Sequence, residues 1–256
     1  MLIKLRNCLL SVMSKIVGVL AGIWLFWPLN VIVFWPLCKL LKINLQQAQH
    51  NLSDYHTFQA VFCRQLKPNS RPIAASTWVS PVDGKLIECS DITSNLTTCI
   101  KGIEYNLKDI LNTTKIPQNG CCLLFYLAPD DYHHFAMPTT TTVTSISEIA
   151  GQVYSVNPTL LNWFPTVYKE NERVVLTCKS SNKLWYMVPV AALNVGQIEL
   201  PWVTQTGGQQ SSFQTGQLCG NFKMGSSVLL VIPDLKATDC LIPLNHNVVL
   251  GQALFK

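Results

Sequence analysis

Apolar and polar residues are unevenly distributed along the chain, which divides it into three stretches. The first is the apolar run IVGVLAGIWLFWPLNVIVFWPLC at 16–38, which contains no charged residue. From residue 43, polar and apolar residues recur at roughly helical spacing until Pro68 and Pro72, which predicts one or two short helices. Beyond Val79, short apolar runs separated by glycine, proline and asparagine predict strands.

Six runs carry the strand signal, because each is rich in β-branched or aromatic residues. In chain order they are CCLLFYLA, TTTTVTSI, ERVVLTCKS, LWYMVPVAAL, SSVLLVIP and VVLGQALF. We therefore predict an α+β protein with a mostly antiparallel β body, N-terminal helices and a hydrophobic membrane-associating segment. The simplest division is that segment at 1–45 followed by one compact domain at 46–256.

The run at 16–38 is long enough to cross a bilayer, which takes about 20 apolar residues. Pro28 and Pro36 each lack an amide donor and bias the preceding residue away from helix. A bent, re-entrant or interfacial arrangement therefore competes with a straight spanning helix, and a buried helix of a soluble domain is a further alternative. Three tryptophans suit the headgroup layer, so we expect the segment to lie in or on a membrane.

Composition and charge exclude several function classes. Hydrophobic residues are 48% of the 256 and charged residues 13%, enough for one large core or two modest ones. The net charge of +5 is not gathered into a basic nucleic-acid motif, so no nucleic-acid partner is expected. The ten cysteines are scattered without a CxxC pair, so we interpret them as reduced thiols and predict no metal site.

Three short polar motifs stand inside the apolar body. SPVDGKL contains Asp83, YLAPDDYHHFAMP contains His133 and His134, and NFKMGSSVLL contains Gly225 and Ser226. Taken singly, each is more often structural: Asp-Gly is commonly a turn, a histidine pair at a strand end is commonly packed, and Gly-Ser is commonly a bend.

In combination and in this order, the motifs resemble those of the phosphatidylserine decarboxylases, which make their own pyruvoyl group by self-cleavage at a Gly-Ser bond. The resemblance covers nearly the whole chain. It rests on YHTFQAVFCRQLKPNSRPI, SPVDGKL, IKGIEYNLKDIL, YLAPDDYHHFAMP, VYSVNPTLLNWFPTVYKENERVVL and NFKMGSSVLL. It implies a carboxy-lyase that converts phosphatidylserine to phosphatidylethanolamine.

The resemblance also implies roles for particular residues. The Ser226 hydroxyl attacks the Gly225 carbonyl, and elimination then cleaves the chain between residues 225 and 226. This leaves a pyruvoyl group derived from Ser226, which forms a Schiff base with the substrate amine and accepts the electrons left by CO2. His133 matches the histidine of the family's Asp-Tyr-His pattern and is the expected proton donor. The two fragments stay together as a large and a small subunit.

One departure affects self-cleavage. The family pattern Asp-Tyr-His-Arg-x-His-x-Pro has a second histidine, expected to act with the aspartate and serine as a charge-relay base. Asp83 and Ser226 match its partners, but Ala136 occupies the position of that histidine. His134 stands at the arginine position, about 6.5 Å from residue 136 along an extended chain and on the same face. Either His134 acts as the base, or strain drives slow cleavage without one.

Three functions follow from these residues. The main hypothesis is an active phosphatidylserine decarboxylase at the cell membrane, peripheral or monotopic on the cytoplasmic face, with the lipid bilayer as a partner. The second is an unprocessed, catalytically degenerate lipid-binding relative. The third is a pyruvoyl-dependent decarboxylase of a soluble amine, which the apolar N-terminus disfavours. Whether the chain forms a homodimer is left open.

Overall fold

A computed structural model describes residues 16, 18–159, 165–192, 198–206, 211–223 and 225–256. Parts of the predicted segments, namely residues 1–15 and 17, 160–164, Leu193 and Met224, lie outside the described residues. The α-helices are α1 (Leu29–Leu40), α2 (Phe58–Phe62), α3 (Leu107–Leu111), α4 (Val167–Glu170) and α5 (Pro201–Thr206). Short 3-10 turns occupy Leu52–Asp54 and Ala237–Asp239.

The strands account for most of the regular structure. They are β1 (Gly84–Asp91), β2 (Thr97–Ile100), β3 (Ile103–Asn106), β4 (Gly120–Leu127), β5 (His134–Ala136), β6 (Thr141–Ile149), β7 (Arg173–Ser180), β8 (Lys183–Ala191), β9 (Ile198–Glu199), β10 (Ser211–Phe213), β11 (Leu218–Phe222), β12 (Ser226–Pro233) and β13 (Asn247–Val248). Within the described ranges the main sheet has the order β10-β6-β7-β8-β12-β4-β1-β13, with antiparallel neighbours throughout. A smaller sheet has the order β5-β11-β9, and β2 pairs with β3. The predicted α+β class with a mostly antiparallel sheet is confirmed.

Strand β12 lies at the centre of the main sheet, between β8 and β4. Its side chains alternate between two apolar clusters: Val228 and Leu230 belong to one cluster, whereas Leu229 and Val231 belong to the other. Because both faces of the sheet are covered, the strand needs apolar residues at consecutive positions. This explains the unbroken branched run that follows Ser226.

The predicted strand VVLGQALF is wrong over most of its length. Only Asn247–Val248 pairs with β1, and the chain then turns at Gly251, whose φ is +88°. Gly251 N–H donates to the Ser80 carbonyl at 2.9 Å, and Ser80 N–H donates to the Gln252 carbonyl at 2.7 Å. The segment therefore satisfies its backbone against an irregular stretch near residue 80 rather than in the sheet, an arrangement that residue type alone does not reveal.

The N-terminal segment docks on the body through α1 and α2. Phe34 and Cys38 of α1 share an apolar cluster with Phe58 and Phe62 of α2. This cluster takes residues from both sides of position 45, where the domain boundary stays a prediction. Pro36 lies inside α1, so the helix continues through this proline despite the local bias of the residue before it. Among the described residues, no helix has the length and apolar character that spanning a membrane requires.

Candidate active site

Ser226 is the first residue of β12 and pairs with Leu127 of β4 and Ala191 of β8. Its side chain is completely buried, and its Oγ has no hydrogen-bond partner among the described residues. An unsatisfied buried hydroxyl costs about 1–3 kcal/mol, so such a group is uncommon unless it has a function. The geometry therefore marks this hydroxyl as a candidate reactive group.

The carbonyl that precedes Ser226 is already polarised. Ala192 N–H donates to the Gly225 carbonyl oxygen at 3.1 Å. The end of β8 is held in place by buried Asn171, whose Nδ2 donates to the Ala191 carbonyl at 2.8 Å. A fixed backbone donor at this oxygen stabilises the negative charge that develops when a nucleophile attacks the carbonyl carbon. Sequence reasoning missed Ala192, because a backbone donor leaves no side-chain signal.

Gly225 and Ser226 lie at the wall of a cavity of about 730 Å³. The N-terminal segment forms another part of the lining, to which α1 contributes Val33, Phe34 and Leu37. The lining is mostly aliphatic and aromatic, so the cavity can accept a long apolar group next to the serine hydroxyl.

A second cavity of about 340 Å³ adjoins the first, with Tyr126 and Asn157 in the walls of both. Its lining is more polar than that of the first cavity and includes Lys85, Asp130 and Asp131. Burial raises the pKa of Asp131 to about 6, and the neighbouring Asp130 carboxylate acts in the same direction. An apolar and a charged compartment thus meet beside Tyr126 of β4. Adjoining compartments of this kind suit an amphiphilic ligand.

Asp83 is buried at the start of β1 and bound by a guanidinium. Arg71 Nε donates to its two carboxylate oxygens at 2.8 and 3.0 Å, and Arg71 Nη2 also contacts Oδ2. Leu250 N–H donates to Oδ1 at 2.8 Å. In the described part of the chain, no hydrogen bond joins Asp83 to Ser226 or His134. Sequence reasoning missed Arg71, because the loop that carries it shows no motif for pairing with Asp83.

Ala136 lies in β5 and is completely buried. It belongs to a small apolar cluster with Tyr132 and Leu250, and its N–H donates to the Pro81 carbonyl at 2.8 Å. The position at which the family pattern has a histidine is therefore packed with apolar atoms, beside the Leu250 backbone that binds Asp83.

His133 is completely buried with a defined tautomer. Its Nδ1 lies 3.0 Å from the Asp131 carbonyl oxygen, and a carbonyl can only accept, so Nδ1 carries the proton. Its Nε2 has no hydrogen-bond partner among the described residues. Burial lowers the pKa of His133 to about 3. The ring contacts Phe62, 4.0 Å between centroids, and Phe62 lines the apolar cavity. His133 therefore presents a neutral imidazole with an unshared electron pair on Nε2.

His134 has a different environment from its neighbour. Its Nε2 lies 2.9 Å from the Cys63 carbonyl oxygen, so Nε2 is the donor and Nδ1 keeps the electron pair. The ring stacks on Tyr132 with centroids 4.8 Å apart. Burial lowers the pKa of His134, so this imidazole also favours its neutral form. Neither histidine hydrogen-bonds to Ser226 in the described residues.

Comparisons with known proteins give a consistent result. A profile of the phosphatidylserine decarboxylase family matches residues 58–256. A phosphatidylserine decarboxylase proenzyme of Nitrosococcus oceani is 32% identical over 216 residues, which is 76% of this chain and 71% of the relative. The proenzyme of Shewanella frigidimarina is 31% identical over 86% of this chain and 84% of its own length. A mitochondrial proenzyme of Caenorhabditis elegans is 32% identical over 80% of this chain and 59% of its own length.

Proposed function

This chain belongs to the phosphatidylserine decarboxylase family of carboxy-lyases, and we propose that it decarboxylates phosphatidylserine to phosphatidylethanolamine through a pyruvoyl group made from Ser226. The observation that carries the proposal is the buried, unpartnered Ser226 hydroxyl next to a Gly225 carbonyl that accepts a hydrogen bond from Ala192. These residues fit a pyruvoyl group, since a ketone formed at position 226 would lie in the wall of the apolar cavity.

Self-cleavage begins when Ser226 Oγ attacks the Gly225 carbonyl carbon and the peptide becomes an ester. The hydroxyl loses its proton in this step, and the Ala192 N–H stabilises the negative oxygen. Loss of the Ser226 α-proton then breaks the Cβ–Oγ bond, which releases a Gly225 carboxylate. Hydrolysis of the remaining dehydroalanine yields ammonia and the pyruvoyl group, at the new end of the small fragment.

We assign the proton acceptor of this step to His134, whose Nδ1 keeps its electron pair while Nε2 donates to Cys63. The pairing of β5 with β11 supports this assignment. It places His134 opposite Asn221, which lies four residues before Gly225 in the chain. Asp83 has a supporting part: its charge, paired with Arg71, fixes the Leu250 backbone behind Ala136. The two fragments then remain together, because β12 keeps its ladders with β4 and β8.

A pyruvoyl group at position 226 would supply an electrophilic carbonyl for the substrate amine and an acceptor for the electrons that CO2 leaves behind. His133 is the residue that we assign to protonation of the substrate carbon. Its Nε2 has no partner in the described part of the chain, so it can take up a proton once the negatively charged substrate lies beside the ring, and pass that proton to the carbon that has lost CO2. The low pKa of His133 makes the charged imidazolium a strong proton donor.

The two adjoining cavities suit the two halves of the lipid. The apolar cavity accepts acyl carbon beside Ser226, and Lys85 in the polar cavity pairs with the negative phosphodiester. Exposed apolar side chains around α1, among them Trp27, Ile32 and Leu40, suit the surface of the bilayer. We therefore place the protein at the cell membrane as a peripheral or monotopic protein.

Denaturing mass spectrometry of the purified chain tests the proposal. We expect two fragments, the smaller beginning at residue 226 and blocked to Edman degradation, together with CO2 release from phosphatidylserine vesicles. An intact chain of 28.6 kDa in folded protein would overturn it and favour the unprocessed lipid-binding alternative. Cleavage with CO2 release from free serine but not from the lipid would instead point to a soluble amine substrate.

A further inference from the structure

Two cysteines from distant parts of the sequence meet at the edge of the main sheet. Cys89 lies in β1, beyond the two residues that pair with β13. Cys240 directly follows the 3-10 turn Ala237–Asp239. Both are free thiols, both are half-buried, and both pack against the same apolar cluster. The proposed decarboxylation uses neither thiol.

One carbonyl oxygen brings the two residues together. Cys89 Sγ donates to the Ala237 carbonyl at 3.6 Å, and Cys240 N–H donates to the same oxygen at 3.2 Å. The turn is fixed on β1 from its other side as well, since Ala237 N–H donates to Asp91 Oδ1 at 2.7 Å. Asp91 and Cys89 are two residues apart and project to the same face of the strand. The strand therefore holds Cys240 close to the Cys89 sulfur.

The two thiols also influence each other's acidity. A hydrogen-bonding contact between the two sulfurs lowers the pKa of Cys240 to about 7 and raises the pKa of Cys89. A thiol that ionises near neutral pH is the reactive partner in thiol–disulfide exchange, and a neighbouring thiol can resolve the mixed disulfide that it forms.

We propose that Cys89 and Cys240 form a disulfide that links the part of the chain before Ser226 to the part after it. A low-molecular-weight disulfide such as oxidised glutathione is the oxidant. The Cys240 thiolate displaces one glutathione to give a mixed disulfide, and the Cys89 thiolate displaces the second. The protein loses two protons and two electrons, and two molecules of reduced glutathione are released.

The link has a specific consequence for a self-cleaved chain. The large fragment would end at Gly225 and the small one would begin at Ser226, and non-covalent contacts such as the ladders of β12 would otherwise hold them together. A bond from Cys89 to Cys240 makes this pairing covalent. The consequence depends on the proposed cleavage, whereas the disulfide itself does not.

Peptide mapping without reduction tests the disulfide in the full-length protein. Trypsin yields peptide 86–101, with Cys89 and Cys99, and peptide 237–256, with Cys240. After oxidised glutathione and alkylation of remaining thiols, we expect these peptides as one linked species in more than half of the protein, and as separate peptides after dithiothreitol. If the chain is cleaved, the fragments should also migrate together under denaturing, non-reducing conditions.

Variants identify the sulfurs. Cys89→Ser and Cys240→Ser should each abolish the linked species, whereas Cys99→Ser, at an exposed position of the same tryptic peptide, should keep it. Absence of the linked species in the oxidised wild type, or its survival in Cys89→Ser, overturns the proposal. An uncleaved chain that carries the link would refute the proposed self-cleavage and leave the disulfide standing.

Discussion

The guanidinium of Arg71 hydrogen-bonds to both carboxylate oxygens of Asp83, with Nε 2.8 Å from Oδ1 and 3.0 Å from Oδ2. In the family pattern, the corresponding aspartate is expected to pair with a histidine. Here Ala136 stands at the histidine position, and the arginine neutralises the buried charge instead. The pairing explains how the fold keeps an aspartate after losing its expected imidazole partner, because an unpaired buried carboxylate would be strongly destabilising.

The Arg71–Asp83 pair should contribute to stability rather than to proton transfer. Arg71→Leu leaves the carboxylate unpaired, and we expect the free energy of unfolding in urea to fall by about 3–5 kcal/mol. Lys183→Leu is the matched control: it breaks an exposed ion pair with Asp234 and should cost less than about 1 kcal/mol. Adding Asp83→Asn to Arg71→Leu should recover part of the lost stability, because the unpaired charge is removed. A double variant less stable than Arg71→Leu would contradict this expectation.

Ser226 and Ser227 provide a matched pair for self-cleavage, since they are adjacent and both are completely buried. Ser226→Ala should give only the intact chain by mass spectrometry, because no nucleophile is left beside the Gly225 carbonyl. Ser227→Ala should be cleaved like the wild type. Cleavage at the same bond in Ser226→Ala would remove the serine mechanism.

His134→Arg tests the base. An arginine restores the residue of the family pattern and can still donate to the Cys63 carbonyl, but it cannot accept a proton. We expect cleavage to slow by a factor of about 100 or more, with an unchanged melting temperature. His246→Arg, at an exposed position, is the control and should be processed normally. Wild-type processing of His134→Arg would show that another group, or strain alone, drives the reaction.

His133→Ala should spare cleavage and suppress CO2 release from phosphatidylserine by a factor of about 100 or more, since it removes the proposed proton donor. Fragment masses and radiolabelled CO2 measure the two steps separately. If turnover is unchanged in the cleaved variant, the proton donor has been assigned wrongly.

The buried His133 should also make stability depend on pH. Its pKa is about 3 in the folded state and 6.5 in the unfolded state, so the unfolded state binds the proton first. The contribution is present above pH 6.5 and is lost as the pH falls toward 3, by about 3 kcal/mol between pH 7 and 4. In denaturant titrations, the stability of wild type relative to His133→Gln should therefore fall by about 3 kcal/mol between pH 7 and 4. The raised pKa of Asp131 acts in the opposite direction but is common to both proteins.

Membrane binding should depend on the exposed tryptophans of the N-terminal segment. Trp27 is 73% exposed, so Trp27→Asp should leave the fold intact and weaken sedimentation with phosphatidylserine vesicles by a factor of about 10 or more. Val249→Asp introduces the same charge at an exposed apolar position outside this segment and should have little effect. Equal losses in the two variants would exclude a specific membrane surface near α1.

Much of the β body could be predicted from residue patterns. Runs such as SSVLLVIP and CCLLFYLA became β12 and β4, because branched and aromatic residues at consecutive positions suit a sheet covered on both faces. The strand predicted at 248–255 failed because its backbone groups found partners outside the sheet. The sequence left the arrangement around Pro36 open, and the helix continues there because packing of Phe34 and Cys38 on α2 outweighs the local preference before a proline.

The sequence by itself determined the order of the motifs, the Gly-Ser bond and the alanine at position 136, because these are properties of residue type along one dimension. Only the tertiary structure decided that Arg71 pairs with Asp83, that the amide of Ala192 polarises the Gly225 carbonyl, and that Cys89 meets Cys240. Each of these contacts joins residues at least 12 positions apart in the chain. Backbone donors and loop side chains leave no local pattern from which such pairs can be predicted.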